Sequence, residues 1–416
     1  MNLSRWNCIP RFALPYTPGD FTRGWRAIFR GAPPARQFAL FGGAPKFWTR
    51  SGRQALYLLL GALGLKPGSG IALPLFTDPS LVRAITKAGH TPVFIDIDPR
   101  YLTIDPQSLE EARGRFSAVV AVHLFGQLAD MPAVMTAAGD VPVIEDGAHA
   151  PLSSLNGRIA GSFGIAAFYS FASTKYWPAG GGGLAVVNDA NLAGKLADLA
   201  QMLDPSSRVR ELRDLFLQSA KAVVFHRRLY GFCGRPIRRW VENWALLEPR
   251  LDRNTIERSW AAVACSQALR LPRRVEMQRA NSLELLIRLG LTEDLVLPRE
   301  RPGAIYNYHL FPVLLHDREE RAAVMAAMWS RFVDTSMIYS NVVGEARRFG
   351  YLGGCPVAES VAERLITLPN YAGLDVKDIN TVANTFLSSL QAFRRARGRS
   401  ASLAPVTEPA RSPLRV

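Results

Sequence analysis

The chain has 416 residues and a mass of 45.8 kDa, with 48% hydrophobic and 20% charged residues. That is long enough for two to three domains around a sizeable core and too apolar for a mostly disordered protein. Its net charge of +15 is peripheral: residues 1–50 carry +7, residues 205–253 carry +6 and residues 391–416 carry +5, so the remainder totals −3.

From Ser51 to about Leu203, helical and strand patterns alternate. Arg53 to Leu65 reads as a helix, Ile71 to Leu75 as a strand, Pro79 to Ala88 as a helix and Pro92 to Ile97 as a strand. Leu109 to Arg113 is helical, Ser117 to His123 is a strand with almost no alternation, Met131 to Ala138 is a helix and Val141 to Glu145 is a strand. Strands follow at Ile165 to Ser170 and Leu184 to Asn188. Continuous apolar strands joined by helices predict an α/β fold, a mostly parallel doubly wound sheet in three layers, with ligands at the carboxyl ends of its strands. A long helical stretch from Trp260 to Leu289, a strand from Tyr308 to Leu315, an Arg/Glu-rich helix and a last helix from Val376 to Phe393 predict a smaller α+β domain. The Pro/Ser/Arg-rich end, residues 394–416, is expected to be a disordered tail.

Four cysteines without paired spacing (Cys8, Cys233, Cys265, Cys355) exclude a zinc ribbon or a disulfide framework, so no metal is expected and the setting is reducing. No apolar run reaches the roughly 18 residues of a membrane span, and MNLSRWNCIPRF lacks the apolar core of a secretory signal, so a cytoplasmic protein is expected.

Three stretches at strand ends carry chemistry. In TRSGRQALYLLL a helix begins at Ser51-Gly52, where backbone N–H groups suit a phosphate or an ordinary N-cap. In VPVIEDGAHA an apolar strand runs into Asp146 and then His149; a buried acid there needs a partner, such as a protonated ring nitrogen, or caps the following turn. In YSFASTKYWPAGGGG, Lys175 sits among aromatics before four glycines, as an amine nucleophile or as a snorkelling surface lysine. Together, a phosphate cradle, a strand-end anion and an amine for an aldehyde are what pyridoxal phosphate needs.

With these motifs in order, the chain resembles the fold-type-I aminotransferases of the DegT/StrS family from about Arg50 to Leu390. SGRQAL resembles its SGTxAL, HTPVFIDIDPRYLTIDP its GAxPVFVDIDPxTxNIDP, VHLFGQLADM its VHLYGxxxDM, VIEDGAHA its VIEDAAQA and YSFASTKYWPAGGGG its FSFxxTKxxxxGxGG; CPVAESVAERLITLPNYAGL resembles its closing segment. The resemblance implies that Lys175 holds pyridoxal phosphate as a Schiff base and that Asp146 pairs with the ring nitrogen. It also implies that His149 approaches the phenolic oxygen, that Ala148 packs on the ring, and that Ser51, Gly52, Arg53 and Ser170 surround the phosphate. Three departures stand out. Asp78 occupies the position of a ring-covering aromatic, leaving Phe76 or His123 to substitute; Arg253 or Asn254 is the candidate in the loosely matched GYNYRM segment; and Tyr339 alone remains of the substrate segment.

The resemblance divides the chain into an N-terminal arm (1–47), a large cofactor-binding domain (48–255), a helical link with a small domain (256–393) and the tail. It implies a homodimeric aminotransferase that moves nitrogen from an amino acid donor, expected to be glutamate, to a keto or aldehyde acceptor, expected to be a nucleotide-linked or lipid-linked sugar. A non-sugar acceptor, or a non-catalytic regulatory or scaffold protein, is the alternative. The basic aromatic insertion at 205–253 leaves open a helix packed on the dimer partner, an element on an anionic membrane surface, or a cradle for a diphosphate. Nucleic acid binding is not expected, because no recognised motif accompanies the charge.

Overall fold

The computed structural model describes residues 5–35, 39–238, 253–290, 292 and 295–398. Arg239 and the rest of 239–252, together with 399–416 of the expected tail, lie outside the described residues.

The N-terminal segment contains helix α1 (Pro18–Arg30), started by a capping box in which Thr17 and Asp20 satisfy each other's backbone N–H groups. Seven strands then form the central sheet: β1 (Lys46–Thr49), β2 (Gly70–Pro74), β3 (Thr91–Ile95), β4 (Ala118–Val122), β5 (Val143–Asp146), β6 (Ala166–Ser170) and β7 (Gly183–Val187). Their order is β1-β7-β6-β5-β4-β2-β3, with β3 to β6 all parallel and β7 and β1 joining antiparallel. Helices α2 (Gly52–Leu63), α3 (Pro79–Lys87), α4 (Pro106–Glu111), α5 (Met131–Ala138) and α6 (Ala190–Gln201) cover it.

Strand alternation assigns side chains to the two faces. Ile71, Val120, Ile144 and Phe168 pack with α2, α3 and α6, while Ala72, Val119 and Val143 pack with α4 and α5. Both faces being covered explains why these strands show no polar alternation.

Beyond the sheet come α7 (Arg208–Val224), α8 (Arg258–Ala268) and α9 (Leu271–Leu289). The expected single stretch from Trp260 to Leu289 is thus two helices. Pro272 offers no N–H and crowds the preceding turn, so the chain breaks at Leu269 and Arg270 and restarts with the proline in the first turn, where it is tolerated. The small domain pairs β8 (Phe311–Leu314) antiparallel with β9 (Leu365–Leu368). Around them α10 (Arg318–Ser330) and α13 (Val376–Ala396) bury Phe311, Val324, Ile366 and Phe386; α11 (Val342–Arg347) and α12 (Pro356–Arg364) join the large-domain core instead.

Two of the boundaries that differ from expectation have a visible cause. The strand expected from Tyr308 is shorter because Tyr308 takes φ 50, a left-handed bend outside any strand. The last helix continues through Ala396, into residues assigned to the tail, with Phe386 and Leu390 anchoring its final turns.

Candidate active site

The carboxyl ends of β4, β5 and β6 open into one cavity of about 1380 Å³, closed on the opposite side by residues of the small domain. Such strand ends are where doubly wound sheets bind ligands. Ser51, Gly52, Arg53, Asp146, Ala148, His149, Ser170, Lys175, Arg253 and Tyr339 all line it, so ten of the eleven residues given a cofactor or substrate role by the resemblance meet in one place. Asn254 does not join them. Its Nδ2 donates to Pro205 O (3.2 Å), its Oδ1 accepts from Arg210 (3.4 Å), and its carbonyl accepts from Gln54 (3.0 Å), which makes it a brace behind the wall.

Helix α2 starts at the cavity. Ser51 caps it by accepting from Gln54 N–H (3.2 Å), and its N-terminal partial positive charge faces the cavity. Gly52 packs closely here: a Cβ would lie 3.1 Å from Ser170 Cβ, so the helix start sits tight against the end of β6.

Strand β5 delivers two buried acids to opposite faces. Asp146 Oδ1 accepts from Ala148 N–H (2.9 Å). Burial pushes the Asp146 pKa up to about 6; Lys175, the Ala148 amide and His123 pull it down, and the nearby Asp78 carboxylate adds to the rise. Its neighbour Glu145 accepts from the amides of Gly161 (2.7 Å), Phe163 (2.6 Å) and Gly164 (2.7 Å) and lies 2.8 Å from His123 Nε2.

Lys175 Nζ lies 2.8 Å from His149 Nε2. The Phe125 amide donates to the other ring nitrogen (3.4 Å), and His309 meets the ring edge-on at 4.6 Å between centroids. Burial, with Lys175 and His309, drives the His149 pKa well below its usual value, so the imidazole is neutral. Lys175 is held by the four-glycine loop that follows it. A Cβ on Gly181 would run into the Trp260 ring and one on Gly182 into Ile256, so only glycine lets α8 press against this loop.

The departures resolve unevenly: Arg253 and Tyr339 line the cavity, whereas the two candidates for covering a ring differ. Phe76 is buried against Phe125 and Tyr339, outside the cavity lining, and cannot cover a ring in the cavity. His123 does line the cavity, with its ring held between Glu145 and the Ala129 amide (3.2 Å). Asp78 also lines the cavity and caps α3 by accepting from Ser80 N–H (2.9 Å). Burial works to raise its pKa, but Lys175, Ser80 and Arg53 hold it below the usual carboxylate value. The Tyr339 ring lies parallel to His149 at 6.5 Å.

Sequence reasoning missed His309, Arg274, Asn370 and Tyr371, which reach the cavity from the link and small domain. No spacing connects Arg274 or His309 to Lys175; Asn370 and Tyr371 lie in the closing segment LITLPNYAGL, whose resemblance was the available signal. Polar atoms of Thr77, Tyr176, Trp260, Asn370 and Tyr371 are buried without a hydrogen-bond partner among the described residues, and all five residues line the cavity.

The sequence leaves three readings open for the basic insertion, and part of its charge is tied to the small domain. Arg227 pairs with Asp378, Arg238 with Asp334, and Arg235 stacks on Trp329 (4.1 Å) and Phe332 (4.5 Å). These arginines strap the insertion to the small domain, so they are not available to meet lipid phosphates. Among the described residues no helix is long and apolar enough to cross a membrane, and no His/Cys/Asp/Glu group could hold a metal.

The chain matches the model of the DegT/DnrJ/EryC1/StrS aminotransferase family over residues 35–234 and 240–387. It is 30% identical over 356 residues to a UDP-N-acetyl-3-dehydro-alpha-D-glucosamine 3-aminotransferase of Acidithiobacillus ferrooxidans, covering 82% of this chain and 83% of that protein. It is 29% identical over 332 residues to a pleiotropic regulatory protein of Geobacillus stearothermophilus, covering 78% and 79%. The crystal structure of the aminotransferase TlmJ from Streptoalloteichus hindustanus superposes with a TM-score of 0.76 at 24% identity, over 92% of this chain and 99% of that one.

Proposed function

The chain belongs to the DegT/DnrJ/EryC1/StrS aminotransferase family, and on that premise we propose that it holds pyridoxal phosphate in the cavity and passes an amino group from an amino acid to a keto carbon of a nucleotide-linked or lipid-linked sugar. Glutamate is the proposed donor, and two copies the proposed working unit.

The observation that carries this reading is Asp146. Its carboxylate is buried, receives one backbone hydrogen bond and has a pKa raised to about 6, a state that a protonated pyridine nitrogen would relieve. The remaining donors fit the same group. Lys175 would hold the aldehyde, Ser170 and the start of α2 at Ser51, Gly52 and Arg53 would hold the phosphate, and Ala148 would pack on the ring.

Pyridoxal phosphate, when bound, supplies an electron sink for the carbon that loses its proton. Lys175 Nζ would take and return that proton on one face. Neutral His149 would steady Lys175 and approach the phenolic oxygen, while Phe168, Tyr176 and Trp260 narrow the access of water.

Two features support a sugar acceptor. The unpartnered polar atoms of Thr77, Tyr176, Trp260, Asn370 and Tyr371 suit a ligand rich in hydroxyls. Arg11, Arg83, Arg210 and Arg274 also line the cavity and bring positive charge to it, as phosphates require. The relative from A. ferrooxidans is named for a UDP-linked amino sugar, in line with this. A regulatory role, as the G. stearothermophilus relative is named for, would not need Lys175 and Asp146 in one cavity.

The test is spectroscopic. The protein reconstituted with pyridoxal phosphate should absorb in the visible, and glutamate should bleach that band in a donor screen. Nucleotide-linked keto sugars should then restore it. A visible band that no amino acid bleaches would defeat the aminotransfer reading for this chain.

A further inference from the structure

The outer face of α7 has no task in the site. Its inner face is buried through Glu211, Leu215 and Gln218, whereas Val209, Phe216, Leu217 and Val223 are 77%, 63%, 56% and 59% exposed. With Arg213 and Ala220 these residues recur every three or four positions, one stripe along the helix. Arg213 shares its charge with Asp214.

Helix α1 repeats the pattern beside it. Trp25, Arg26, Phe29 and Arg30 face outward, opposite buried Gly24, Ala27 and Ile28. The two helices meet at Gly24, where a Cβ would lie 3.2 Å from Leu215 of α7 and 3.4 Å from Val263 of α8. Both helices therefore pack on α8 and on each other, and each leaves its outer stripe exposed. Large apolar side chains exposed on two neighbouring helices are the kind of surface that marks an interaction site.

Charge selects the partner. Among described residues 5–35 and 201–238, exposed arginines outnumber exposed acids seven to one, the one acid being Asp204. A second copy docked by two-fold symmetry would set this basic stripe against itself, with almost no carboxylate to answer it. A surface of anionic phospholipid answers both features: apolar side chains enter the acyl boundary while arginines meet phosphates.

We propose that the paired outer faces of α1 and α7 attach the enzyme peripherally to an anionic phospholipid surface. The attachment uses arginines other than those that strap the insertion to the small domain. Because α7 also supplies Arg210 to the cavity wall, attachment sets the cavity beside the membrane.

The test is flotation of the full-length, cofactor-loaded protein with vesicles of phosphatidylcholine alone or mixed with phosphatidylglycerol. Binding should require phosphatidylglycerol and should fade as salt rises from 0.1 M to 1 M, where the Debye length falls from about 10 Å to about 3 Å. The pair Phe216→Glu and Leu217→Glu, and separately the triple Arg26→Gln, Arg30→Gln and Arg208→Gln, should each lower the bound fraction about tenfold, with cofactor absorbance unchanged. The proposal falls if the intact protein ignores phosphatidylglycerol vesicles at low salt, or if neither set of substitutions weakens binding. It falls equally if Phe216→Glu with Leu217→Glu halves the mass in solution, which would make this face a contact between copies. Flotation reads protein mass, so the outcome is independent of which acceptor the enzyme uses.

Discussion

On one face of β5 the Glu145 carboxylate is saturated, with three backbone amides and His123 around its two oxygens. On the other face, one residue on, Asp146 receives a single amide from the protein and looks into the cavity. The pleat of the strand sends neighbours to opposite faces, so identical chemistry meets opposite surroundings. A carboxylate whose acceptor capacity is filled from within holds loops together; one left short is stabilised only by something that arrives. The segment from Gly161 to Gly164 folds around Glu145, and the cofactor is expected to do for Asp146 what that segment does for Glu145.

The largest expected effect tests whether the cavity face is the chemical one. Lys175→Ala should lower turnover by at least about 1,000-fold, and borohydride reduction of the loaded wild type followed by peptide mapping should tag Lys175. A tag on another lysine would move the chemistry elsewhere.

The contrast between the two acids comes next. Asp146→Asn should cost about 100-fold or more in turnover while leaving the fold intact. Glu145→Gln should instead destabilise the fold by about 2–4 kcal/mol, because its amide would turn donors toward donors; denaturant melts read this directly. Equal effects on stability from the two substitutions would erase the distinction.

A third measurement follows the protons. The native Asp146 pKa, about 6, lies above the 3.8 of an unfolded carboxyl. Between those values the native cofactor-free protein binds more protons than the unfolded chain, so its stability falls as pH rises from about 4 to about 6, by at most about 3 kcal/mol. Glu257, raised to about 8 by burial, extends the same sign toward pH 8. Asp146→Asn should remove the lower part of this slope, and saturating cofactor should flatten it. The smallest effect concerns Asp78. Asp78→Asn keeps a good helix cap but removes a negative charge near Asp146, so the low-pH slope should end about half a unit earlier.

Much of this was legible. Strand-helix alternation gave six of the seven strands, β1 lying in the segment read mostly as an arm, and the motifs around Ser51, Asp146 and Lys175 converge because each lies at a strand or helix end. What the sequence hid depends on distant pairing. VIED shows two adjacent acids and nothing that separates them, since the amides that satisfy Glu145 come from 161–164. The arginines of the insertion read as free charge, because Asp334 and Asp378, which neutralise Arg238 and Arg227, lie about a hundred residues or more downstream. Helix α1 escaped notice because three arginines and two glycines blur its apolar face, which closes only against α8.

The straps at Arg227 and Arg238 have a mechanical consequence. They fasten one end of the insertion to the small domain. Along α7, Gln218 accepts from Ser173 (3.0 Å), two residues before Lys175, and Arg210 sits in the cavity wall. With 17 residues, α7 is a rod about 25 Å long that spans from one to the other. A displacement of the small domain would therefore act on α7 and, through Gln218 and Ser173, on the loop that carries Lys175.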